Sequence, residues 1–161
     1  QGSYMSKKYT LTQFADALNR MDAKVRGKTL ERAGWAGALV IETAAKISMS
    51  AASHTGKIYK RKRGSHQASA PYETPAVDTG VLVNSISTWV EEKDNDRVEM
   101  GIGSGIIYAA RLEFGFRETD SLGRKYNQAP RPYMRPAVDN NVEKVYDAIS
   151  ERLARDIEGM I

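Results

Sequence analysis

The sequence predicts an α+β fold, in which a small antiparallel β-sheet packs against a long N-terminal helical region and a long C-terminal amphipathic helix. Three observations predict it. Phe14, Leu18, Met21 and Val25 recur at helical spacing near the start. Val98, Met100 and Ile102 alternate with Glu99, Gly101 and Gly103, the period of a half-buried strand. Val138, Val142, Val145, Ile149, Leu153, Ile157 and Met160 trace one apolar stripe. A chain of 161 residues is expected to form a single domain, here 5–161. Gln1-Gly2-Ser3-Tyr4, ahead of Met5, reads as a cloning remnant.

In chain order, Tyr9 to Arg26 reads as the first helix. Thr10 and Gln13 have capping-box spacing, and Tyr9 with Phe14 fits a hydrophobic staple. Gly27 bends or ends it. A second helical run extends from Thr29 to about Ala52, with Leu30, Ala33, Gly37, Val40, Ala44 and Ile47 on one stripe. Gly34 and Gly37 each cost about 1 kcal/mol against alanine in a helix. Either they permit close packing, or the helix is loosely specified. From Thr43 to Tyr72 there is no acidic residue, and Lys57, Lys60, Arg61, Lys62 and Arg63 lie within that stretch. Its Gly, Ser and Pro content predicts a long loop. Asp78-Thr-Gly80 is a turn, followed by a short helical turn that passes into a strand ending near Val90. Lys93 to Arg97 is a polar turn, so this strand and the next form a hairpin. Phe116 to Gln128 reads as a protruding hairpin or arm with a turn at Asp120-Ser-Leu-Gly123.

Two stretches are expected to meet in space and organise the rest: Tyr108 to Gly115, and Ala129 to Ala137. The first is a short helical run stopped by a glycine. The second is stiffened by Pro130, Pro132 and Pro136, and Pro136 suits a first helical turn. Glu113 sits in an apolar run and needs a partner, for which Arg111, Arg131 and Arg135 are candidates. Glu113, Phe114, Phe116, Arg131, Tyr133 and Arg135 together are expected to offer a surface to a neighbouring protein, because aromatics and arginine dominate interface hot spots. The alternative is that the aromatics close the core.

Composition excludes little else. With 41% hydrophobic and 27% charged residues the chain supports a small core. No apolar run is long enough to span a membrane, and no secretory signal is expected. The lack of cysteine excludes disulfides and thiolate chemistry. A net charge of +4 permits a nucleic-acid partner without demanding one, and Lys57–Arg63 would supply the phosphate contacts. No catalytic set is legible. Gly101-Ile-Gly-Ser-Gly105 lacks the third glycine of a dinucleotide turn and the lysine of a P-loop. His54 and His66 have no cysteine or acidic residue nearby in sequence, so no metal site is expected. Glu91, Glu92, Asp94 and Asp96 read as a solvated hairpin tip, and Ser69 and Ser85 have no histidine placed to activate them.

Three segments have a further likeness. Ser65 to Pro71 with Pro75-Ala76 and Asp78-Thr-Gly80, Leu82 and Ser85-Ile86 resembles one motif of the lambdoid-phage gene-product-ten family of tail components, also described as tail-completion or head–tail joining proteins. Tyr108-Ala109 with Glu113-Phe-Gly115 resembles the second motif, and Pro132-Tyr-Met-Arg-Pro-Ala137 the third. The likeness covers about residues 56–140. Tyr72 stands where that family commonly has glycine, Phe116 where it often has threonine, and Tyr133 where phenylalanine is usual. The resemblance implies an α+β fold, no enzymatic activity, no cofactor, and a homo-oligomeric ring at the head–tail junction of a virion. Such a chain would assemble in the bacterial host cytoplasm beside connector and tail proteins, stay monomeric until its partner ring is present, and touch DNA nonspecifically if at all. Two other classes compete with this one: a DNA-binding module using Lys57–Arg63, and a small nuclease or peptidase, for which the required cluster is missing.

Overall fold

The computed structural model describes residues 9–62 and 64–159; Gln1–Tyr4, Arg63 and Met160 lie outside the described residues. Over the described residues the architecture is α+β, 48% helical and 21% strand, with three antiparallel two-stranded sheets where one small sheet was expected. The backbone divides into two compact units, each assembled from separated segments. The first comprises residues 9–40, 88–102 and 141–159, and the second 41–87 and 103–140.

In the first unit, α1 (Leu11–Asn19) starts as its sequence dictates. The Gln13 N–H donates to Thr10 Oγ1 at 3.2 Å, and the Thr10 N–H donates to Gln13 Oε1 at 2.8 Å. Two orphan donors are thus satisfied reciprocally. The Tyr9 and Phe14 rings lie 5.3 Å apart across this start, closing the staple. The helix does not continue to Arg26. Asp22 accepts from the Lys24 N–H at 2.9 Å and begins a new helix, α2 (Ala23–Ala51), six residues before the expected start. Gly27 therefore lies inside a helix. A Cβ there would come within 3.1 Å of the Asp94 carbonyl oxygen, so close approach explains the glycine.

The core of this unit gathers Phe14, Ala33, Leu153, Ala154 and Ile157, with Leu18, Met21 and Ile149 packed against it. Its C-terminal helix is shorter than the stripe suggested. Residues 134–158 form two helices, α5 (Met134–Asp139) and α6 (Val142–Glu158), separated at Asn140-Asn141. The Asn140 N–H closes α5 on the Pro136 carbonyl at 3.1 Å. Only the later part of the stripe is core: Leu153 and Ile157 are buried, whereas Val142 is 47% exposed. Gly37 faces α6, where an added Cβ would lie 2.8 Å from Ile149 and 3.2 Å from Val145. Close packing, rather than loose specification, accounts for it.

Strands β3 (Ile86–Lys93) and β4 (Val98–Ser104) form the expected hairpin. Asp94 Oδ1 closes the turn by accepting from the Asp96 and Arg97 N–H groups at 2.6 and 2.7 Å. These bonds hold the Asp94 carboxyl below the usual carboxylate range. Gly101 is a packing glycine, because a Cβ there would strike the Trp89 indole at 2.3 Å.

In the second unit α2 buries Ile41, Ala45 and Met49, and Ile47 is 59% exposed. The buried face follows strict i, i+4 spacing rather than the expected stripe, which alternated steps of three and four. Lys57 to Gln67, expected as loop, is largely a β-hairpin: β1 (Ile58–Arg61) pairs with β2 (Gly64–Gln67), with Tyr59 opposite His66 and Arg61 opposite Gly64. The β-branched and aromatic pair Ile58-Tyr59 supplies the strand preference, and Gly64 at φ +126° supplies the turn. Helix α3 (Val81–Ser85) passes directly into β3, as expected. The arm is a second hairpin of β5 (Phe116–Thr119) and β6 (Lys125–Gln128). Asp120 Oδ1 organises its turn by accepting from the Leu122 and Arg124 N–H groups at 3.0 and 2.9 Å.

Candidate functional site

The two organising stretches meet in the second unit. Helix α4 (Ala109–Phe114) ends at Gly115, whose φ of +79° and ψ of 176° suit glycine alone. A Cβ there would also come within 2.8 Å of the Gln128 carbonyl oxygen. The chain then returns through the proline segment, where the Arg131 N–H donates to the Leu112 carbonyl. The Glu113 carboxylate accepts the N–H groups of Tyr133, Met134 and Arg135 at 2.8, 3.0 and 3.0 Å. Its partner is therefore the start of α5, not the side chain of Arg111, Arg131 or Arg135. The physical reason is that a helix start presents unpaired donors and a partial positive charge, which a carboxylate satisfies without the entropy of ordering an arginine.

Arg131 is spent on the backbone. Its Nε and Nη2 each donate to the Ser69 carbonyl at 3.2 Å, and Nη1 donates to the Ala129 carbonyl at 3.3 Å. The Tyr72 N–H donates to the Pro130 carbonyl at 2.8 Å, with Tyr72 itself at φ +67°. That left-handed conformation is one glycine adopts without strain. Segments near residues 70, 112 and 132 are thereby tied into one node.

Not all six residues expected at a surface lie on one. Tyr133 is 3% exposed and belongs to the core; burial, and then the Glu113 charge, push its phenol up. Glu113 and Arg131 are partly buried and structural. Phe116 is half-buried under the Arg111 guanidinium, 3.9 Å from its ring centroid. Phe114, 73% exposed, and Arg135 remain at the surface. The reading that the aromatics close the core thus holds for Tyr133 and fails for Phe114.

The basic set divides similarly. Arg61 makes a bidentate pair with Asp78, Nη1 to Oδ1 at 2.6 Å and Nη2 to Oδ2 at 2.5 Å. This pairing holds the Asp78 carboxyl below its usual range. Lys57 Nζ lies 5.4 Å from the Tyr59 ring centroid. Lys60 and Lys62 are exposed and, among the described residues, have no ion-pair partner. Arg63 is outside the described residues.

Both histidines face carboxylates, contrary to the expectation from sequence proximity. His54 Nδ1 lies 3.9 Å from Glu73 Oε2, and His66 Nδ1 lies 4.0 Å from Asp78 Oδ1. Neither distance is a hydrogen bond. Glu73 is occupied by the Thr55 and Ala70 N–H groups at 3.1 and 2.8 Å and by the Thr55 hydroxyl. A cleft of about 480 Å³ opens beside Met49, His66, Asp78, Leu82, Tyr108 and Arg131. Two of its charged groups, Asp78 and Arg131, are already committed to structural partners. Ser85 shares a 2.7 Å hydroxyl contact with Ser104. Among the described residues no group of three or more His, Cys, Asp or Glu could hold a metal, and no helix is long and apolar enough to cross a membrane. Asp78 and Glu73 were missed as organising residues; the Asp-Thr-Gly turn was the one local signal for the first.

Compared with known proteins, the chain matches no family model, no curated protein and no solved structure.

Proposed function

We propose that the chain is a non-enzymatic structural protein of a tailed phage or prophage, forming an oligomeric ring at the head–tail junction during virion assembly. One observation carries the reading. The three segments that resemble the family's motifs, far apart in sequence, join in one hydrogen-bonded node: Glu113 of the second holds the backbone of the third, and Arg131, which directly precedes the third, holds the Ser69 carbonyl of the first. Motif residues used to fix backbone shape suit a component whose work is to present a rigid surface. Phe114, Arg135 and the adjoining β5–β6 hairpin are left to neighbours. The partners are other copies and adjoining connector or tail proteins, and the site of action is the virion.

Deleting the gene from its phage should give unjoined heads and tails, restored by the wild-type chain supplied in trans. Phe114→Ala should melt normally yet restore fewer particles. Infectious particles that lack the chain would overturn the proposal. Lys60 and Lys62, without an ion-pair partner among the described residues, favour one second reading, nonspecific DNA binding by the β1–β2 hairpin; it requires DNA affinity of the isolated chain that falls steeply with salt.

A further inference from the structure

We infer that copies of this chain join head to tail, the β1–β2 hairpin of one copy seating Ile58 and Lys60 in the cleft between α4 and the β5–β6 hairpin of the next. The inference rests on the ring reading above and names its interface.

The receiving cleft has a volume of about 470 Å³. The strand register explains its chemistry. Phe116 pairs with Gln128 and Glu118 with Tyr126, so these four side chains share one face of the hairpin, and all four line the cleft. Arg117, Thr119, Lys125 and Asn127 fall on the opposite face. Tyr108, Arg111 and Leu112 line it from the α4 side, and Asp120 from the hairpin turn. The Phe116 and Tyr126 rings are 6.0 Å apart, and Tyr108 and Tyr126 are 42% and 43% exposed. Arg111 already rests on Phe116, so a further cation is drawn by the Glu118 carboxylate rather than by that ring. Asp120 is bound to Arg124 and Tyr126, but Glu118 is exposed and has no partner among the described residues.

The inserting hairpin is complementary. Tyr59 and Arg61 share a face with His66, and that face is held at Asp78 through Arg61. The opposite face carries Ile58, Lys60, Ser65 and Gln67 by strand alternation. Ile58 is 58% exposed, and Lys60 is exposed and unpaired among the described residues. An apolar side chain beside a cation thus matches aromatic rings beside a free carboxylate. Hairpin and cleft are different patches of one chain, so their contact between copies is heterologous, and heterologous contacts that close generate rings. One exposed ion pair contributes little alone. The contact is accordingly weak between two free copies and becomes stable when closure or a partner ring makes each new contact intramolecular.

The absence of cysteine makes the test clean. Lys60→Cys and Glu118→Cys chains are mixed in equal amounts at high protein concentration and low salt, oxidised, and resolved without reductant. The 60–118 disulfide dimer should exceed the two like-with-like dimers several-fold. A chain carrying both substitutions should give a ladder ending in closed multimers. Lys60→Glu in an otherwise natural chain should lower multimer yield several-fold under amine-independent crosslinking, and adding Glu118→Lys should restore it, with melting temperatures unchanged throughout. Dimers in statistical proportion overturn the interface. Rings visible by electron microscopy without the 60–118 crosslink overturn it too, while leaving the ring reading intact. Crosslinked open chains that never close keep the contact and overturn the ring. If the Lys60→Glu effect appears only in salt-steep DNA binding, the hairpin serves nucleic acid and the inference fails.

Discussion

Glu113→Ala is the most direct probe of the node. The substitution removes one carboxylate that accepts three backbone N–H groups at 2.8, 3.0 and 3.0 Å. Hydrogen bonds to a charged acceptor contribute about 1.5–3 kcal/mol each, and orphaned buried donors set the loss. The Arg135 N–H lies on an exposed residue and can turn to water. Those of Tyr133 and Met134 lie on buried and half-buried residues and cannot do so freely. Counting two donors rather than three gives a loss of about 3–6 kcal/mol. In a chain of this size each 1 kcal/mol lowers Tm by about 2–4 °C, so a fall of roughly 6–24 °C is expected. Glu113→Gln keeps one oxygen acceptor and should lose about half as much. Urea denaturation with calorimetry measures both. A Glu113→Ala chain within about 0.5 kcal/mol of wild type, the range of ordinary surface changes, would refute the reasoning. Equal losses for Ala and Gln would show that the charge, not the geometry, carries the cap.

Two further outcomes are expected. Leu153→Ala should cost about 2–5 kcal/mol, because it empties part of the core beside Phe14 and Ala33, whereas Val142→Ala at the exposed start of α6 should cost under about 1 kcal/mol; similar losses in a melting series would mean the stripe is buried along its length. Acid should destabilise the fold: Glu73, Asp78, Asp94 and Asp120 all have carboxyls held below their usual range by hydrogen bonds. Their contribution is present above the unfolded carboxylate range and is lost as pH falls below about 4 through the depressed folded values, since the unfolded chain then binds more protons. Asp94→Asn combined with Asp120→Asn should flatten that slope, and an unchanged slope in pH-dependent urea titrations would count against it.

What the sequence determined by itself were features whose cause is local. The Thr10–Gln13 box, the helix-to-strand passage at Ser85-Ile86 and the Asp94 and Asp120 turns each depend on neighbours within a few positions, and the glycine stop at residue 115 depends on its own positive φ as well as on the distant Gln128 carbonyl. The meeting of residues 108–115 with 129–137 was also legible, because three prolines restrict the second stretch and a buried carboxylate in the first requires donors. Tertiary structure alone decided the rest. The buried face of α2 could not be read, since Ala, Gly, Val and Ile surround that helix and periodicity singles out no side. The β1–β2 hairpin was hidden because its lysines and arginines mimic a solvated loop, and Arg61 is neutralised by Asp78, seventeen residues away. Glu113 was assigned arginine partners because side-chain charge is written in sequence, whereas the donors of a helix start exist only once α5 has formed and been brought to face it.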